Sequence, residues 1–334
     1  MTEDALLPAA KPPPALPRLS REVLLTGGLL AVMVFGLAGL AAATGWREVL
    51  ASLGALNSAQ VAALLALSGM NYLLRGLRWH LYARVLKLPV GVMQTIRHYL
   101  GGFAMTVTPG RVGELIRLRW ITRETGVSVD RAAPIVLMDR AADLAAMGLL
   151  IAVSVALSTA GLRGGIPLAA IAIVAAVVVT RANLLTWALE RSWRLIGRAP
   201  RLFARVRRAA RSIGPFSDWP VVLPALALGF AGWFAEGLSF YYLLGWMGAE
   251  VPLWTAVGIF MIATVGGGLT GAPGGLGGAE AAMVGLLSLQ GVPLEVSIPA
   301  TAVIRLTTLW FAIAIGLVVF PIATRAAHRG LHAT

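Results

Sequence analysis

Nine charged residues sit where a long apolar chain should not carry them: Arg111, Glu114, Arg117, Asp139, Arg140, Asp143, Glu236, Glu280 and Arg305. Arginine suits a phosphate or carboxylate because its planar fork donates bidentate hydrogen bonds and keeps its charge. A carboxylate nearby can fix that fork or carry a proton. Asp139 and Asp143 are four apart, hence on one helix face, with Arg140 turned about 100° away from Asp139. Two glycine-rich breaks accompany the charges, Pro109-Gly110-Arg111-x-Gly113-Glu114 and Pro273-Gly274-Gly275-Leu276-Gly277-x-x-Glu280. A helix starting just after such a break offers free amides and a positive dipole end to an anion. The candidate anion-binding residues are therefore Arg111, Arg117, Arg140 and Arg305 with Gly110, Gly113, Gly274, Gly275 and Gly277. The candidate ion-pair or coupling residues are Glu114, Asp139, Asp143, Glu236 and Glu280. Two roles stand open: ion pairs that lock the chain together, and a cradle for an anionic head group. They are compatible.

The elements that must position these groups follow from composition. The chain has 334 residues, 58% hydrophobic and only 13% charged, with a mean hydropathy of +0.79. A soluble domain carries about 25% charged residues, so an ordinary soluble enzyme and a disordered chain are both excluded. The net charge of +13 reads as Arg on cytoplasmic flanks, with no nucleic-acid partner expected. Cysteine is absent, which excludes disulfides, thiolate nucleophiles and Cys–metal sites. The four histidines show no metal-ligand spacing, and no cofactor or metal is expected.

A bilayer core needs roughly 20 apolar residues as helix. Runs at about 22–43, 57–74, 133–159, 166–186, 221–247 and 297–320 predict six spans. The first is too long and too late for a typical signal peptide. Residues 92–107 and 254–270 are shorter and each meets a Gly/Pro break, after which a second arm returns. Both read as re-entrant hairpins, since broken backbone at membrane depth must be buried or line a wet cavity. The string Arg75-Gly-Leu-Arg78-Trp79-His80 reads as a set of interfacial anchors. The Arg-rich segment 187–218 is expected to be a cytoplasmic linker lying on anionic lipid. With it on the inside, the basic N- and C-terminal flanks fall on the same side.

Internal symmetry adds the most. Pro109-Gly110-x-x-Gly113 matches Pro273-Gly274-x-x-Gly277. Arg140 follows Glu114 by 26 residues, and Arg305 follows Glu280 by 25. Each half reads span, span, hairpin, span, with the hairpins entering from opposite sides. That is an inverted-topology repeat, the arrangement of transporters with a site near the midplane. The expected fold is an all-α polytopic membrane protein of about six spans and two re-entrant hairpins. Its parts are a disordered cytoplasmic tail at 1–20, one transmembrane domain at 21–324 (repeats about 22–160 and 165–322) and a short cytoplasmic tail at 325–334.

The two Pro-Gly motifs, Asp139-Arg140-x-x-Asp143 and the later Arg305 together resemble the lysylphosphatidylglycerol synthase transmembrane family, also called flippase-like membrane proteins. The resemblance covers roughly 22–322. It implies that the membrane region moves a lipid between leaflets. The namesake enzymes carry a soluble aminoacyl-transferase domain after such a region, and no room for one follows the last span here. The resemblance thus implies the translocation half without the synthase half, in the bacterial inner membrane, with membrane lipids as partners. Self-association or a lipid-biosynthesis partner protein is a further expectation. The competing functional readings are a lipid-modifying membrane enzyme and a non-catalytic scaffold for glycolipid or hopanoid assembly.

Overall fold

The computed structural model describes residues 51, 54–106, 112–158, 165–196 and 200–330. The expected tail at 1–20, the apolar run 22–43 and the break residues Gly110 and Arg111 lie outside them. Among the described residues there are helices and turns and no strand.

Helix α1 (Ser58–Val85) starts on a capping box. The Asn57 side chain accepts from the Gln60 amide at 2.9 Å, and the Gln60 side chain accepts from the Asn57 amide at 2.8 Å. Two orphan donors of the first turn are thereby satisfied. The helix then runs straight through Arg75 and Arg78, where a span ending at 74 was expected. It stops at Lys87, which takes a left-handed backbone with φ 52, while the Leu88 amide closes back on the Ala83 carbonyl at 2.9 Å. Next come α2 (Val92–Gly101), a 3-10 turn at Gly102–Met105 and, past the break, α3 (Val112–Thr125). These two arms lie side by side. A Cβ on Gly113 would collide with the Gly102 carbonyl, so the close approach needs glycine at both places. At their other end Glu124 takes Arg97 at 2.8 Å and His98 at 3.2 Å, and Gln94 as well.

Helix α4 (Val129–Leu157) is 29 residues long and apolar enough to cross a membrane. Helix α5 (Gly165–Thr180) packs back along it. The expected span 166–186 is broken: the chain bends by 103° between Thr180 and Ala182 into α6 (Ala182–Ile196). Arg181 makes the corner. Its guanidinium lies 3.7 Å over the Trp219 ring and donates to the Ser217 carbonyl at 2.6 Å. The Ser217 hydroxyl in turn accepts from the Ala182 amide, giving the new helix a cap from outside its own chain segment. Helices α6 and α7 (Pro200–Ser212) are amphipathic and pair through Trp193 and Phe203.

Helix α8 (Trp219–Trp246) opens the second half with the same 28-residue length as α1. It ends the same way, with Gly248 left-handed and the Ala249 amide closing on the Leu244 carbonyl. Then follow α9 (Leu253–Leu269), the turn Pro273–Gly275, α10 (Gly278–Leu289) and α11 (Leu294–Arg305). A π turn at Leu306–Trp310 leads into α12 (Phe311–Gly330). The stretch Leu294–Arg329 passes as one long apolar span.

Beside two smaller clusters around Trp120 and Trp310, two large apolar cores result. One gathers Tyr72, Trp79, Tyr99, Leu118 and Met138, and the other Phe240, Val257, Phe260, Met283 and Ile304. They meet where α1 crosses α8 at Gly229 and Gly232. A Cβ there would stand 2.7 Å from Arg78 and from Asn71 respectively. Small residues at such a crossing let two backbones approach. The last long helix of each half also crosses to the other half. Helix α4 packs on α9, with Ser154 against Gly258, and α12 packs on α2, α3 and the 3-10 turn, with Gly316 against Ala104.

Candidate functional site

The charged groups converge at the crossing of α1, α4 and α8. Arg75 and Arg78 are three apart on α1 and face α4, where Asp139 and Asp143 share a face. Arg78 donates to Asp139 Oδ1 at 2.5 Å and to Asp143 Oδ1 at 2.6 Å. Arg75 donates to Asp143 Oδ2 at 2.7 Å and stacks 4.7 Å over the Trp233 ring, whose Nε1 donates to Asp143 Oδ1 at 3.1 Å. All four charged side chains are buried. Each partner offsets part of the desolvation penalty of the other, and removing one would strand the rest. The interfacial-anchor reading of Arg75, Arg78 and Trp79 is overturned: Trp79 and Arg78 have no exposed surface.

Arg140 reaches both aspartates of its own helix, Asp143 as an i,i+3 neighbour. It contacts Asp139 Oδ2 at 3.2 Å and Asp143 Oδ2 at 3.4 Å, and lies 3.1 Å from Glu114 on α3. In the second half Arg305 donates to Glu280 at 2.5 Å and to the Gly274 carbonyl at 2.8 Å. Gly274 has φ 64, a left-handed backbone that glycine enters without steric cost and that turns its carbonyl toward Arg305. Gly277 caps α10 at φ 80 and does not line the site.

The two arrangements match position for position. Glu114 and Glu280 are each the third residue of their helix, α3 and α10. Arg140 and Arg305 are each the twelfth residue of α4 and α11. Both of those helices have an acidic second residue (Asp130, Glu295) and a proline at the sixth (Pro134, Pro299), and both follow a left-handed glycine (Gly126, Gly291).

Arg117 differs from the other cations. Among the described residues no carboxylate lies within ion-pair distance of it. Its guanidinium sits 4.1 Å from the Tyr99 ring centroid, 5.3 Å from Trp79 and 5.4 Å from Phe103. Three ring faces hold the charge by their quadrupoles. Arg117 is buried, and its Nε and Nη1 have no hydrogen-bond partner among the described residues. Its stem lies against Gly102, where a Cβ would collide with it.

These groups border one cavity of about 420 Å³. Arg75, Gly113, Glu114, Arg117, Arg140, Asp143, Glu236, Gly274, Gly275 and Arg305 line it, as do Trp233 and Tyr72. Leu144, Met147, Phe260, Val265 and Leu269 form its apolar side. Leu144 is 51% exposed and Leu269 81% exposed, so that side reaches the outer surface of the helices. Asp139 and Glu280 stand behind the lining and hold its arginines. Sequence reasoning missed Arg75, Arg78 and Trp233. The available signal was the i,i+3 spacing of the two arginines on a helix with no stop signal before Lys87. Among the described residues no group of three His, Asp or Glu side chains is placed to share a metal ion.

Residues 24–316 match the model of the lysylphosphatidylglycerol synthase TM region. A UPF0104 membrane protein of Methanothermobacter thermautotrophicus is 25% identical over 319 residues, spanning 88% of this chain and 94% of that protein. A second match to a UPF0104 membrane protein of the same organism is 30% identical over 108 residues, 32% of this chain and 31% of that protein. A chain with long apolar helices, buried arginine pairs between them and a family match over most of its length is an integral membrane protein that belongs to the lysylphosphatidylglycerol synthase TM region family.

Proposed function

We propose that the protein translocates an amphiphile with an anionic or phosphorylated head group between leaflets, rather than transforming it chemically. The observation that carries this reading is Arg117. It is a buried cation without a carboxylate partner among the described residues, at the edge of a cavity with one charged and one apolar, outward-reaching side. Arg140 and Arg305 are already paired, and serve to shape the charged wall. The cavity measures about 420 Å³. That is room for a head group and some hydration, with the tails left in lipid past Leu144 and Leu269.

The matched positions of Glu114 and Glu280, and of Arg140 and Arg305, support an inverted repeat with two re-entrant hairpins meeting at the cavity. Opposed broken helices around a midplane site permit alternating access by rocking one half against the other. Arg191, Arg194, Arg207, Arg208 and Arg211 on α6 and α7 support a cytoplasmic linker and cytoplasmic termini, and the inner membrane of a bacterium is the location the family resemblance implies.

The test is lipid retention in mild detergent by native mass spectrometry, with wild type beside Arg117→Gln of matched melting temperature. Wild type is expected to hold an anionic phospholipid, and Arg117→Gln to lose it by roughly 10- to 100-fold, as a charge-assisted contact of about 1.5–3 kcal/mol implies. Equal retention by both would overturn the reading.

A further inference from the structure

The cavity's cations and carboxylates fall into closed groups, with two side chains left over. Arg75, Arg78 and Arg140 with Asp139, Asp143 and Glu114 form one closed set, and Arg305 with Glu280 forms another. Glu124 has Arg97 and His98. What remains among the described residues lining the cavity is the cation Arg117 and the carboxyl of Glu236, which is buried and has no arginine, lysine or histidine within ion-pair distance among them.

We propose that Glu236 is the proton-binding group of this cavity, and that one proton enters with each monoanionic head group. The proposal rests on the head-group reading above. Its physical basis is charge balance in a medium that tolerates no uncompensated charge. With the cavity empty, ionised Glu236 offsets Arg117. A phosphodiester taking Arg117 leaves one negative charge in excess. A proton on Glu236 removes that excess, and its loss on release resets the site. The head group and the ionised carboxylate are alternatives for the same positive field.

The surroundings of Glu236 allow both states. Across from it α1 presents Asn71, Tyr72 and Arg75; α4 presents Arg140 and Asp143; α11 presents Arg305. Its own helix adds Trp233, α9 adds the neutral Thr264, and α3 adds Glu114 and Arg117. Arg75 and Arg305 attract the ionised form from a distance, each already ion-paired with another carboxylate. Asn71 is a neutral amide able to face either form.

The experiment is titration calorimetry of the purified protein with a short-chain phosphatidylglycerol, whose phosphodiester keeps a single charge throughout. Runs in two buffers of different ionisation enthalpy count the protons exchanged. Wild type is expected to take up close to one proton per lipid at alkaline pH, with affinity falling by up to about tenfold per pH unit there. Glu236→Gln is expected to bind with no uptake and a flat pH profile, and Glu236→Asp to restore uptake. Binding by wild type without proton uptake overturns the proposal while leaving the head-group reading intact. Uptake that persists in Glu236→Gln also overturns it. Absence of binding at every pH removes both.

Discussion

The same arginine–glutamate clamp is built in both halves, but the two halves support it differently. Behind Arg140 and Glu114 stands a second layer, Arg75 and Arg78 on α1 with Asp139 and Asp143 on α4. Counting along the matching helices of the second half, those four positions hold Glu236, Ser239, Ile304 and Thr308. Arg305 therefore has Glu280 and one carbonyl, and nothing deeper. Directly after it the helix widens into the π turn at Leu306–Trp310, where the Thr308 carbonyl accepts from the Tyr72 hydroxyl at 2.5 Å. Extra-wide turns of this kind recur at functional sites in helices. One clamp is set in a charged lattice and the other beside a widened turn, a difference that predicts a stiffer first half and a more compliant second half.

The sharpest way to break this comparison is Asp143→Asn. It leaves three arginines short of a shared charge, and should cost about 3–5 kcal/mol, read as a large drop in melting temperature in detergent. A change near zero would show that the lattice is not what stiffens the first half. A smaller contrast comes next. Glu280→Gln should destabilise by about 1–3 kcal/mol, because Arg305 keeps only a carbonyl. Glu114→Gln should cost less, since Arg140 retains Asp139 and Asp143 and its side chain is 32% exposed. The reverse order in matched thermal melts would mean that the clamps are equivalent after all. The smallest effect is expected at the surface pair Glu190–Arg207, where both side chains are nearly half exposed. Glu190→Gln there should change stability by less than about 0.5 kcal/mol in urea or thermal unfolding. A larger loss would give the α6–α7 linker a structural weight comparable to the clamps.

Much of this was legible from residue order. Long apolar runs gave α4 and α8 nearly whole, because a membrane-length helix needs little besides length and hydropathy. The two clamps were legible as spacings, since Glu114 to Arg140 and Glu280 to Arg305 repeat almost the same interval. Helix ends inside polar company were harder. Arg75 and Arg78 looked like the close of a span because charge normally marks an interface. Their aspartate partners lie more than 60 residues away, and no local pattern names a distant partner. The corner at Arg181 was invisible for a similar reason: the stacking partner Trp219 and the capping Ser217 arrive from a later segment. The proton-binding role proposed for Glu236 also needed the structure. Sequence marks it as a misplaced charge, but only the closed pairing of its neighbours singles it out.

The crossing of each half's last helix into the other half has a consequence for how the protein is made. The seam along Ala104 that receives Gly316 is formed by residues near the middle of the first half, and its cover is α12, the last of the described helices. Synthesis from Thr125 to Phe311 takes roughly 10–40 s at about 5–20 residues per second. For that interval the nascent first half must stand in the bilayer with its groove filled by lipid or by the insertion machinery. The tight glycine seam therefore closes after the other described helices, and the charged cavity it borders is completed only once α12 has been made.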